Sequence, residues 1–182
     1  MIRSIPWLLV GFRVVAGPLI LALAFAGQGV ACALLLSAGV LSDIFDGIVA
    51  RRIGVSTPRL RTWDSRADVM FWLFSLFGLI LLRPSLAADL GLAALLIGAL
   101  EVGNHLFSYL KFRREASPHH YLSKAFGLGL WLLFGLGFAV GEVGVVLFAV
   151  LALGVVSQIE AFAITWRLKA WRCDVPSVFG LR

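Results

Sequence analysis

Four aspartates lie in one short stretch of a chain that has only ten acidic residues: Asp43, Asp46, Asp64 and Asp68. Helical residues that are three or four positions apart lie on the same face of a helix. Asp43 and Asp46 would therefore share one helix face, and Asp64 and Asp68 would share another. Two neighbouring helices with these faces turned toward each other would direct four carboxylates at one point.

Converging carboxylates repel one another, so such a cluster needs bound protons or cations. Oxygen ligands suit hard ions such as Mg²⁺, Mn²⁺ or Ca²⁺, and the stretch has no cysteine or histidine that would indicate zinc. A pair of such ions can stabilise the attacking and leaving oxygens of phosphoryl transfer. The structural alternative is a helix cap at Asp64 with salt bridges to nearby arginines. That alternative does not account for Asp43 and Asp46, which lie within an apolar run.

The composition indicates which elements position these residues. Hydrophobic residues make up 60% of the chain and charged residues 14%, whereas a soluble domain is about half apolar and about a quarter charged. The apolar runs are long and unbroken, so membrane-spanning helices are favoured over a barrel of alternating strands. An acidic side chain inside a membrane is costly and marks function by default.

We therefore predict an all-α integral membrane protein that forms one domain over residues 1–182. A span needs about 20 mostly apolar residues, and by this measure the chain has six transmembrane helices with short interfacial segments at the termini. The predicted spans cover residues 7–26, 30–50, 64–82, 86–110, 121–140 and 143–165.

The basic residues predict the topology, because cytoplasmic loops of membrane proteins are enriched in lysine and arginine. Three segments on one side of the predicted spans are basic, and the other side holds only Arg83. This pattern predicts a multi-pass protein of the cytoplasmic membrane with both termini and the aspartates facing the cytoplasm. The net charge of +6 fits contact with anionic lipid and attraction of phosphorylated substrates.

The aspartate stretch resembles the signature of the CDP-alcohol phosphotransferase family, D-x2-D-G-x2-A-R-x8-G-x3-D-x3-D. The matching positions, with all spacings kept, are Asp43, Asp46, Gly47, Ala50, Arg51, Asp64 and Asp68. The first helix, with Pro6, Arg13 and Pro18, is also similar to that of the family. Together with similar segments at Ser108 to Arg113 and at Ser123-Lys124, the resemblance extends over nearly the whole chain.

The resemblance implies transfer of a phosphatidyl group from a CDP-linked lipid, CDP-diacylglycerol, to an alcohol, with release of CMP, in phospholipid biosynthesis. It also implies two Mg²⁺ or Mn²⁺ ions and a homodimer in the lipid bilayer, and no nucleic-acid partner is expected. The metal ligands would be Asp43, Asp46, Asp64 and Asp68, and Asp68 would also be the catalytic base. The nucleotide would contact Asp43, Gly47, Ala50 and Arg51.

Basic residues near the fourth and fifth spans favour a phosphorylated acceptor. The segment from Ser108 to Arg113 and the Ser123-Lys124 pair are similar to segments of family members. The resemblance implies that Arg113, Lys124 and Lys111 bind the acceptor phosphate, and the alternative is that they set topology and contact lipid. Glycerol 3-phosphate is the first choice of acceptor, with inositol phosphate, serine or a second lipid as alternatives.

One position departs from the signature. Leu60 stands where the family has a glycine, and a leucine there would fill space near the nucleotide. This departure leaves open an inactive family member with a structural role. A second open class, independent of Leu60, is a cation-coupled transporter whose transported ion binds the carboxylates. A transporter would need inverted repeats or broken helices.

Overall fold

The computed structural model describes residues 4–52, 57–114, 116, 120–172 and 175–181, with the backbone alone at 50–52, 58–59 and 61–62. Within these residues six helices are long and apolar enough to cross a membrane, and none forms a strand. The all-α, six-helix prediction is therefore confirmed. The helices are α1 (Ile5–Phe25), α2 (Gly29–Arg52), α3 (Pro58–Leu82), α4 (Ala87–Phe112), α5 (Tyr121–Ala139) and α6 (Gly144–Arg167).

The largest difference from the predicted spans is at the start of α3. The predicted span begins at residue 64, whereas the helix begins at Pro58. Thr57 caps it, because the Thr57 hydroxyl oxygen accepts the Leu60 N–H at 3.2 Å, and proline is favoured in the first helical turn. Arg59 and Arg61, which lie between the second and third predicted spans, are therefore part of α3.

The chain divides into two compact units, and the first consists of Met1–Ala87 with Phe134–Glu142. In this unit α1 packs along both α2 and α3, whereas α2 and α3 contact each other only slightly. One close approach between them is at Gly39 of α2, where an added Cβ would lie 2.3 Å from the Phe71 ring of α3. Glycine therefore lets the Phe71 ring lie against α2, close in sequence to Asp43 and Asp68.

The second unit consists of Ala88–Leu133 with Val143–Arg182. Here α4 and α6 are joined by polar side chains, because the Asn104 side-chain amide donates to the Gln158 carbonyl at 3.1 Å. The Gln158 amide in turn donates to the Glu101 carboxylate. The prediction of a single domain for the whole chain stays a prediction.

The C-terminal segment is anchored to the second unit by hydrogen bonds. The Glu160 carboxylate of α6 accepts the Ser177 hydroxyl at 2.7 Å and the Val178 N–H at 3.2 Å. The Tyr121 N–H at the start of α5 donates to the Pro176 carbonyl at 3.0 Å. The predicted interfacial role of this segment stays a prediction.

Leu60 lies in the core of the first unit. It is 6% exposed and packs with Val10 of α1 and Ala67 of α3. The leucine therefore fills space between α1 and α3, and its expected effect on the space near the nucleotide stays a prediction.

Replacing Leu60 with alanine should lower the free energy of unfolding by about 2–5 kcal/mol, because the deleted atoms leave a cavity. The measurement is thermal unfolding of the purified protein in detergent. Leu8→Ala is the control, since Leu8 lies in the same unit but is 70% exposed. Equal melting temperatures for the two variants would contradict this packing of Leu60.

Candidate active site

The four aspartates converge on one buried arginine, Arg13 of α1. The side chain of Arg13 has no exposed surface, 0%, and both terminal nitrogens donate to carboxylates. Nη1 donates to Asp43 at 2.5 Å and to Asp68. Nη2 donates to Asp46 at 2.5 Å and to Asp64.

Each terminal nitrogen of Arg13 joins α2 to α3. Asp43 and Asp46 lie one turn apart on α2, and Asp64 and Asp68 lie one turn apart on α3. Nη1 bridges Asp43 and Asp68, and Nη2 bridges Asp46 and Asp64. Arg13 of α1, a helix that packs along both α2 and α3, therefore bridges the two aspartate pairs.

Exposure of the carboxylates differs sharply across the cluster. The Asp46 side chain is 6% exposed, whereas the Asp43 side chain is 45% exposed. Asp64 and Asp68 are intermediate at 27% and 32%. The site therefore has a buried side at Arg13 and Asp46 and an accessible side at the other three aspartates.

The accessible aspartates have the chemistry of a divalent-cation site. Asp43, Asp64 and Asp68 can each offer one ligand atom, and these atoms lie within 4.8 Å of one another. Such all-oxygen sets suit Mg²⁺, Mn²⁺ or Ca²⁺. If all four aspartates are ionised, the single guanidinium leaves three of their four negative charges without a counter-charge. Asp46 lies outside the set that can share one ion.

Arg13 is the residue of this site that the sequence interpretation missed. It was noted only as part of the similarity of the first helix. The signal was nonetheless present, because a charged side chain within an apolar span marks function by the same rule that singled out the aspartates.

The predicted nucleotide contacts follow the aspartates along α2. Gly47 is partly buried directly after Asp46. Ala50 and Arg51 continue the helix, and their side chains lie outside the described residues. The nucleotide-binding roles of these residues stay predictions.

The predicted acceptor residues belong to the second unit. The Lys111 ammonium donates to the carbonyls of Thr165 at 3.0 Å and Trp166 at 2.6 Å. These are C-terminal carbonyls of α6, which lack helical partners and favour a cation. Lys111 therefore has a capping role that the sequence did not predict. Arg113 and Lys124 are exposed.

Six apolar helices and an acidic cluster with hard-cation chemistry define a multi-pass integral membrane protein with a candidate metal site. The family model for CDP-alcohol phosphatidyltransferase matches residues 3–166, and the chain belongs to this family. It is thus a transferase of substituted phosphate groups that moves a phosphatidyl group from a CDP-alcohol to an acceptor, in phospholipid biosynthesis. The family generally uses a divalent metal. No curated protein and no solved structure gives a significant match.

Proposed function

We propose that the chain transfers the phosphatidyl group of CDP-diacylglycerol to glycerol 3-phosphate, in a metal-dependent reaction that releases CMP. The observation that supports this most is the convergence of the four signature aspartates, three of which have ligand atoms within 4.8 Å of one another. Their positions on two helices also agree with the spacing in the family signature.

In the proposed mechanism, Asp43, Asp46, Asp64 and Asp68 hold Mg²⁺ or Mn²⁺. When bound, two such ions would neutralise the diphosphate and stabilise the charge that develops on the attacking and leaving oxygens. The family resemblance implies that Gly47 and Ala50, as small residues, would allow a nucleotide to approach. The Arg51 guanidinium suits the diphosphate, because it forms paired hydrogen bonds with phosphate oxygens.

Asp68 is the proposed base. Its carboxylate accepts the proton of the acceptor hydroxyl, and the hydroxyl oxygen forms a bond to the phosphorus that bears the lipid. The bond from that phosphorus to the bridging oxygen breaks, and CMP leaves with the electron pair. The family resemblance supports this assignment, and the 32% exposure of the Asp68 side chain is compatible with it, whereas Asp46 is only 6% exposed. A base must reach the proton that it removes.

The decisive experiment incubates the purified protein with Mn²⁺ or Mg²⁺, CDP-diacylglycerol and a panel of acceptors. We expect CMP release with glycerol 3-phosphate. The lipid product should contain the phosphate of the phosphatidyl group and the phosphate of glycerol 3-phosphate. If CMP is released only with inositol phosphate, serine or a second lipid, the proposed acceptor is wrong and the proposed reaction class stands. Absence of CMP with every acceptor would favour the inactive member, and ion uptake by proteoliposomes without nucleotide would favour the transporter.

We propose, from the family resemblance, that Arg113, Lys124 and Lys111 bind the acceptor phosphate. Lys124→Met should then raise the KM for glycerol 3-phosphate about tenfold or more, since a hydrogen bond to a charged group contributes about 1.5–3 kcal/mol. The kcat should change little, because the contact is present before and during the reaction. Lys169→Met is the control, because Lys169 is exposed and has no proposed contact with the acceptor. An unchanged KM would remove Lys124 from the acceptor site.

We also propose that the protein is a homodimer whose termini and active site face the cytoplasm. The basic segments support the orientation. For the dimer, the support is the family resemblance and α4, on which the Glu101 side chain is 53% exposed. An ionisable side chain is costly in hydrocarbon, and a second copy against α4 would shield it from lipid. The mass of the protein in detergent by analytical ultracentrifugation tests the dimer.

A further inference from the structure

Arg13 directs both terminal nitrogens of its guanidinium at the acidic cluster. The two terminal nitrogens of an arginine have four N–H groups, and in Arg13 these nitrogens contact four carboxylates. The fifth donor, the Arg13 Nε–H, is buried and has no hydrogen-bond partner among the described residues. The cation therefore lies at the centre of the cluster.

The guanidinium and a divalent ion require the same ligands. Asp43, Asp64 and Asp68, whose ligand atoms could share one ion, all accept hydrogen bonds from Arg13. A positive charge at this position offsets the repulsion among the carboxylates, and it also repels an arriving cation. The guanidinium therefore stabilises the cluster in the metal-free protein and opposes the binding of a metal ion.

We propose that Arg13 is a built-in counter-cation that competes with the divalent metal for the aspartates. It holds the carboxylates together in the metal-free protein and releases part of them when an ion binds, so it sets the metal affinity of the site. Arg13 is in this sense a positioning residue. The inference rests on the proposed metal site, and it gives Arg13 the role of regulating the affinity of that site for the metal.

The alternative is that Arg13 is only a brace. In that case loss of the arginine would loosen the carboxylates, and the metal would bind more weakly. Competition predicts the opposite sign, because removal of the charge frees the ligands and removes the repulsion. Metal affinity therefore distinguishes the two roles without reference to turnover.

The experiment measures Mn²⁺ binding by the loss of the free-ion signal in electron paramagnetic resonance, on the purified full-length protein in detergent. Arg13→Met should bind Mn²⁺ at least about tenfold more tightly than the wild type. It should also unfold at a lower temperature without metal and gain more thermal stability from Mn²⁺. Arg13→Lys, which keeps the charge, should stay close to the wild type in affinity.

Arg83→Met is the matched control. Arg83 lies in the same unit at the other end of α3, and its Nε–H likewise has no partner among the described residues. This variant should bind Mn²⁺ like the wild type. If Arg13→Met does not fold, Arg13→Gln is measured instead, since glutamine keeps an amide donor without the charge and should show the same tightening.

The outcomes separate this inference from the proposed function. Mn²⁺ affinity in Arg13→Met or Arg13→Gln that equals or falls below that of the wild type, in a protein whose wild type binds Mn²⁺, would overturn the competition and leave the metal site standing. A wild type that does not bind Mn²⁺ would overturn the proposed metal site and the inference with it.

Discussion

Chelation of divalent cations should lower CMP release from the CDP-linked lipid by at least about 100-fold, and excess Mg²⁺ or Mn²⁺ should restore it. The physical reason is the charge of the site. The diphosphate of the donor is negative, and it must approach four carboxylates that share one guanidinium. Without bound cations these charges repel, and the negative charge that develops on the leaving CMP lacks the stabilisation that the ions would supply.

The measurement is CMP release before chelation, in excess chelator, and after each ion is added back. Thermal unfolding in the same samples is the control for the fold, because Arg13 joins the two aspartate pairs without any metal. We expect the folded state to persist in chelator while turnover is lost. Turnover that is indifferent to chelator would require a different mechanism for this cluster.

Local sequence patterns were enough to predict the six helices. Each span is a long apolar run, and helices are the structures that satisfy the backbone of such runs in a membrane. The early start of α3 was missed because the prediction followed hydropathy, whereas Thr57 and Pro58 provide a helix start before the apolar run begins. Capping chemistry set this boundary.

The convergence of the aspartates was partly predictable for the same reason. The spacing of Asp43 with Asp46, and of Asp64 with Asp68, is a property of single helices. The expectation of two neighbouring helices with converging carboxylates did not include α1, which packs along both of them. The contact between Arg13 of α1 and the carboxylates depends on tertiary packing. The spacing of residues within one segment does not predict it.

The same limit applies to Lys111. Its sequence neighbourhood predicted a phosphate contact, yet its ammonium caps α6 through the carbonyls of Thr165 and Trp166. These partners are distant in sequence, so the capping contact could not be inferred from the segment that holds the lysine. A basic residue near a membrane surface has several possible partners, and only the fold selects among them.

Asp68→Asn should reduce turnover by at least about 100-fold, within the range that positioned acid–base groups contribute. Asparagine has nearly the same shape as aspartate, and its side-chain oxygen can still accept the hydrogen bond that Arg13 donates to Asp68. It cannot accept the proton of an attacking hydroxyl at ordinary pH. The fold and the binding of the CDP-linked lipid should therefore remain close to those of the wild type, and CMP release should fall.

The same substitution also weakens a proposed metal ligand, since Asp68 belongs to the set with Asp43 and Asp64. A titration with Mn²⁺ separates the two effects. If the loss came from metal affinity alone, saturating Mn²⁺ would restore CMP release. If Asp68 is the base, turnover stays low at saturation. Asp89→Asn, at an exposed acid in the first turn of α4, should behave like the wild type throughout. Full activity of Asp68→Asn at saturating Mn²⁺ would assign the proton to another acceptor.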